Sequence, residues 1–177
     1  LEFYLLRGLF EPVENEYTDV KDVLGLTVPI VTDETTEEQA NNNPRVSHDE
    51  MVKFILSDLE EAEKLFTETG YTAKNHTAPD LSVIKALQAK VYLWDKKYAE
   101  AYTAADKAIE LAEANGAAMM TQTELTSANS AFTTATSGWL WYTHYSAENM
   151  GNLCNVIGWM SGEADWGYSS LSRPMID

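Results

Sequence analysis

Met51, Ile55, Leu59, Ala62 and Phe66 recur at spacings of four, four, three and four, the period of one face of an α-helix. Phe54 and Leu65 stand beside that face, and Glu60, Glu61, Glu63 and Lys64 are expected to point away from it. The start of this helix is well marked. Ser47 can accept from the free N–H groups of the first turn, Glu50 three residues on completes a capping box, and Val46 with Met51 can form the hydrophobic staple. Gly70 ends the pattern. A second helix begins after the cap Asp80 and buries Ile84, Leu87, Val91 and Trp94, while Ala86 and Ala89 give a narrow flank for close approach of another helix. Asp95-Lys96-Lys97 is too short for anything but a reversal, so the third helix runs back antiparallel. Its expected buried face is Tyr98, Ala101, Tyr102, Ala105, Ala108, Ile109 and Ala112, with Thr103, Asp106, Lys107, Glu110 and Glu113 in water and a stop at Asn115-Gly116.

The flanking segments carry weaker patterns. LEFYLLRGLF at the start reads as the end of a cut helix, without a starting Met or a cap. The chain is therefore expected to be a fragment, any signal peptide or lipid anchor having been lost with the missing part. Glu11 to Val23 is acidic and aperiodic, a surface loop. VPIV is a short extended run in which Pro29 argues against a central strand. The Thr-, Glu- and Asn-rich residues up to Arg45 read as loop. From Met119 to Ser137 Thr, Ser and Ala dominate with no helical period. An aromatic stretch follows, Trp139, Trp141, Tyr142, Tyr145, Trp159, Trp166 and Tyr168, set among Gly, Ser and Asn.

Charge narrows the choice of partners. Against 28 acidic residues there are 12 basic ones, a net charge of −16, with no basic stripe. Polyanions such as nucleic acid need a Lys/Arg patch to displace their counterions, so neither nucleic acid nor an anionic lipid surface is expected. No apolar run approaches the roughly 18 residues of a membrane span. Cys154, the single cysteine, sits among apolar neighbours in NLCNVIGWM and reads as a buried thiol rather than a nucleophile. With His48, His76 and His144 scattered, no metal-ligand spacing is present, and no cofactor is expected. There is no Gly-rich phosphate loop and no G-x-S-x-G elbow. Asn75-His76-Thr77 fits a glycosylation sequon, a tripeptide common by chance.

Two resemblances sharpen the picture. Ala89, Tyr92, Tyr98, Ala101 and Ala108 match the small and aromatic sites of a tetratricopeptide hairpin, without its usual Trp or closing Pro. Only one such hairpin is clear, so further helices must cover it. The order of the segments resembles the SusD/RagB family of outer-membrane nutrient-binding lipoproteins of Bacteroidetes-type bacteria. LEFYLLRGLF looks like the back of its long LRA-aromatic helix and GLTVPIVTDET like its G-V-P-hydrophobic segment. PRVSHDEMVKFILSDLEEAEKLF is similar to its R-x-S-x-x-E helix at Arg45, Ser47, Glu50, Ile55, Asp58, Leu59 and Ala62. IKALQAKVYLWDKKYAEAYTAADKAIE is close to its hairpin, and WGYSSLSRPMID looks like its Gly/Trp-rich stretch.

The resemblance implies a mostly α fold: tetratricopeptide-like helical hairpins with long irregular loop regions, the whole of 1–177 being a fragment of one SusD-like domain. Residues 47–116 would be the helical scaffold and 117–177 the irregular aromatic-rich region. It further implies a non-enzymatic glycan-binding protein, lipid-anchored on the extracellular face of the outer membrane. Such a protein passes an oligosaccharide, or in some members a peptide, to a SusC-like TonB-dependent transporter. Large rings in Gly/Ser/Asn loops suit the C–H faces of sugars. Trp159, Trp166 and Tyr168 are the candidate platform, with Asn155 and Asp165 as hydroxyl partners; the bland alternative is that the same rings fill a core. Trp139 and Trp141, alternating with Leu140 and Tyr142, read as an extended segment packed on the scaffold. A helical-repeat adaptor that binds other proteins is the rival from another class. A glycosidase would need two carboxylates about 5–9.5 Å apart; among 28 acidic residues some pair is always available, but most lie on helical outer faces or in acidic loops, where solvation is the default.

Overall fold

The structure, a computed structural model, describes residues 21–73, 76–127 and 135–142, all within one compact unit that ends at Tyr142. It is mostly α-helical. The helices are α1 (Glu37–Asn41), α2 (His48–Thr69), α3 (Leu81–Trp94), α4 (Tyr98–Ala114) and α5 (Gln122–Thr126), preceded by a 3-10 turn at Lys21–Val23. Among the described residues there is no strand, only an isolated antiparallel bridge between Leu26 and Ser47.

The signals that predict α2 act as expected. The Ser47 hydroxyl oxygen accepts from the Glu50 amide, while the Glu50 carboxylate accepts from the Ser47 amide at 3.0 Å. Val46 packs against the cluster that contains Met51, as a staple should. At the far end Gly70 takes a left-handed φ of 60°, which L side chains adopt only at a cost. Met51, Ile55 and Leu59 are fully buried and meet Ile84 and Val91 of α3. Phe54, Phe66, Leu87 and Trp94 flank this core.

The α3–α4 connection is a Schellman turn. The Lys97 amide donates to the Tyr92 carbonyl and the Lys96 amide to the Leu93 carbonyl, at 2.9 and 3.1 Å, satisfying carbonyls the helix end leaves free. Lys96, at φ 59°, holds the position glycine usually takes. The chain then folds back and α4 packs along α3.

The face that α4 buries differs from the expected one. Ala101, Ala104, Ala108 and Ala112 are buried, whereas Tyr98, Tyr102 and Ile109 are 65%, 73% and 58% exposed. Small residues let the two backbones approach closely, which turns the alanine stripe toward α3 and leaves the large side chains on the flank. Leu65 is likewise 53% exposed: it follows Leu59 by six residues, about 240° around the helix, well off the core face. Glu63, expected in water, is half-buried against α3.

Two segments expected to be loop contain short helices. Thr36 with Gln39 caps α1, and Thr121 with Glu124 caps α5, each through a complete capping box. At five residues neither helix has room for an apolar stripe, so periodicity could not reveal them. The VPIV segment is not part of a strand, as Pro29 suggested. The Thr27 amide donates to the Val46 carbonyl at 2.8 Å, and pairing stops before Pro29, which has no N–H to offer.

Candidate functional site

The five residues expected to hold a glycan, Asn155, Trp159, Asp165, Trp166 and Tyr168, lie outside the described residues, as do Tyr145, His144 and Cys154. Of the aromatic stretch, Trp139, Trp141 and Tyr142 are described, all half-buried. Trp139 sets its ring edge-on to Tyr142, centroids 5.6 Å apart, and the Tyr142 amide donates to the His76 carbonyl at 2.9 Å. Leu140 faces an apolar hollow of about 440 Å3 against Ala86, Ala89, Ala108 and Ala112. Of this stretch Leu140 thus lies across a hollow from the helical hairpin, and Tyr142 is tied to the loop at His76. Gly138 is at the hollow's rim, where an added Cβ would meet Met120 Cγ at 2.6 Å.

A second hollow, about 520 Å3, runs over α3 between α2 and α4. Lys85 anchors one end of it. Its ammonium donates to Glu63 Oε1 at 2.6 Å and to Gln88 Oε1 at 3.1 Å, and the Gln88 amide donates to Glu63 Oε2 at 2.9 Å. Partial burial works against the Glu63 charge, but the hydrogen bonds from Lys85 and Gln88 outweigh it, so the carboxyl titrates below its ordinary value. Tyr92 lies farther along the same groove. Burial, then the charge of Glu60, push its hydroxyl above the ordinary tyrosine range, with Glu100 and Glu63 adding to the effect and Lys97 opposing it.

A third cluster joins the start of α2 to the hairpin turn. His48 Nε2 is 3.1 Å from Asp95 Oδ1, Lys97 donates to Asp95 Oδ2 at 2.8 Å, and the His48 ring rests on Trp94 with centroids 4.1 Å apart. With Asp49 these groups place three ligand-type atoms within 4.8 Å of one another. Spacing along the chain could not show this, because Asp95 is 47 residues from His48 and only folding joins them. The geometry suits a structural clasp better than a cation. Lys97 already supplies positive charge to Asp95, and the N-terminus of α2 adds the positive end of a helix dipole.

Among the described residues every buried side-chain polar atom has a hydrogen-bond partner. Compared with models of known protein families, with curated proteins and with solved structures, the chain matches none.

Proposed function

We propose that this chain is part of a SusD/RagB-like, lipid-anchored protein of the outer-membrane surface. It holds an oligosaccharide and delivers it to a SusC-like TonB-dependent transporter, without chemistry of its own. In this reading α3 and α4 are a tetratricopeptide-like hairpin, and recognition falls to the aromatic-rich segment after Trp139.

One observation carries the reading. The two segments that resemble the family's G-V-P stretch and its R-x-S-x-x-E helix are bonded to each other. The Arg45 guanidinium donates to the Thr27 carbonyl at 2.7 Å, Thr27 pairs with Val46, and Ser47 bridges Leu26 while capping α2. Two of the residues that make the resemblance, Arg45 and Ser47, thus help to hold these segments together, which supports the reading.

Calorimetry of the full-length protein against a panel of glycans and peptides tests this reading. Binding of a glycan, lost in Trp159→Ala or Trp166→Ala, supports it; a bound peptide instead indicates a peptide-binding member. Glycan binding unchanged in both variants removes those rings from the site. The adaptor reading draws on the exposed Tyr98, Tyr102 and Ile109 along α4, and it requires a protein partner that Tyr102→Ser releases.

A further inference from the structure

Asn115-Gly116 is the one Asn-Gly pair in the chain. Asparagine before glycine is chemically labile, because a residue without a Cβ leaves its backbone nitrogen open to attack the asparagine side chain. Here the pair closes α4 and has a structural task. Asn115 Nδ2 donates to Asp80 Oδ2 at 3.2 Å, which ties the end of α4 to the cap of α3. Three features of the fold hold the pair unreactive. At ψ 8° the Asn115 backbone keeps the Gly116 nitrogen away from Cγ, since ring closure needs that nitrogen eclipsed with Cβ. The Gly116 amide is engaged, donating to the Glu113 carbonyl at 3.0 Å. The leaving group, Nδ2, is held by Asp80. Both residues are exposed, and an added Cβ at Gly116 would touch no neighbour, so hydrogen bonds rather than packing restrain this turn.

We propose that Asn115 is a site of self-modification governed by the Asp80 contact: opening of this turn lets the Gly116 nitrogen cyclise onto Asn115 Cγ, and the product cannot close the turn again. The Gly116 N–H proton passes to water and the nitrogen bonds to Cγ. The Cγ–Nδ2 bond breaks, and Nδ2 takes up a proton and leaves as ammonia. Water then opens the five-membered imide, with no oxidant or reductant. Cleavage between Cγ and nitrogen gives aspartate. Cleavage between the backbone carbonyl carbon and nitrogen gives isoaspartate, whose main chain runs through Cγ. Either product loses the amide donor and brings a negative charge up to the buried carboxylate of Asp80, where like charges repel. Asp80 Oδ1 keeps its contacts with Ser82 and Val83, so α3 retains its start while α4 loses its hold on it. An opening of the hairpin end is thus recorded irreversibly in the covalent chain.

Peptide mass spectrometry on the full chain, sampled during incubation at neutral pH, measures conversion at Asn115. Wild type unfolded in urea should convert faster than folded wild type. Asp80→Ser keeps a cap for α3 but is too short to reach Asn115. In the folded state, checked by circular dichroism, it should convert at least about tenfold faster than wild type, the ratio expected on losing a hydrogen bond to a charged group. Leu59→Ala weakens the core without touching the turn, and it should convert more slowly than Asp80→Ser. Asn115→Asp, which carries the aspartate product, should melt below wild type. Conversion of Asp80→Ser at the wild-type rate overturns the proposal. So does an equal or greater acceleration in Leu59→Ala, folded wild type converting as fast as unfolded, or Asn115→Asp melting with wild type.

Discussion

Asn115 donates its side-chain amide to Asp80 Oδ2 at 3.2 Å, across 35 residues of sequence. The other oxygen of Asp80 accepts from the Ser82 and Val83 amides and the Ser82 hydroxyl at the start of α3. One buried carboxylate therefore caps α3 and grips the end of α4, locking the open end of the hairpin. Asp80→Ala should cost about 2–3 kcal/mol, a lost cap plus orphaned partners, and Asn115→Ala about 1 kcal/mol. Urea unfolding followed by circular dichroism measures both.

Asp95 predicts an acid limb in stability. Partial burial disfavours its charge, but the hydrogen bonds from Lys97 and His48 outweigh burial, so the carboxyl titrates below its ordinary value. A depressed folded pKa means stabilisation that is present above the ordinary carboxylate range and lost as pH falls through the folded value. The stability advantage of wild type over Asp95→Asn should therefore be full at neutral pH and shrink below about pH 4. Unfolding curves at stepped pH read this directly.

Lys96→Gly should stabilise the chain by about 0.5–1 kcal/mol. At φ 59° the lysine side chain pays for a left-handed backbone, and glycine does not. The rise in melting temperature is the measure.

The alanine seam between α3 and α4 should resist enlargement. Ala104→Leu is expected to cost about 1–3 kcal/mol through overpacking, whereas Tyr102→Ser should change stability by less than about 0.5 kcal/mol because the ring is in water. The reverse order in thermal melts would return Tyr102 to the core.

Leu59→Ala should cost about 2–5 kcal/mol, since the side chain is wholly buried between α2 and α3 and its loss leaves a cavity.

Much of this architecture is legible in the residues alone, where the physics is local. A cap acts within one turn, so Ser47, Asp80 and Gly70 could be placed from neighbours a few positions away. A stripe at period 3.6 implies a buried face, so Met51, Ile55 and Leu59 were readable as core. The same rule misplaced Tyr98, Tyr102 and Ile109. Hydrophobicity says that a residue gains from burial, but in α4 two adjacent stripes compete, and hydropathy favours the larger one.

The chain by itself determined three long helices, their ends and the tight reversal between the second and third, because backbone capping and turn chemistry need only neighbouring residues. Tertiary structure alone decided which side of α4 meets α3, since that depends on how closely two backbones can approach. It also decided the meeting of His48 with Asp95, of Asp80 with Asn115, and of Glu60, Tyr92 and Glu100 in one groove. These groups belong to different helices, and no period along a chain encodes the distance between two helices that pack.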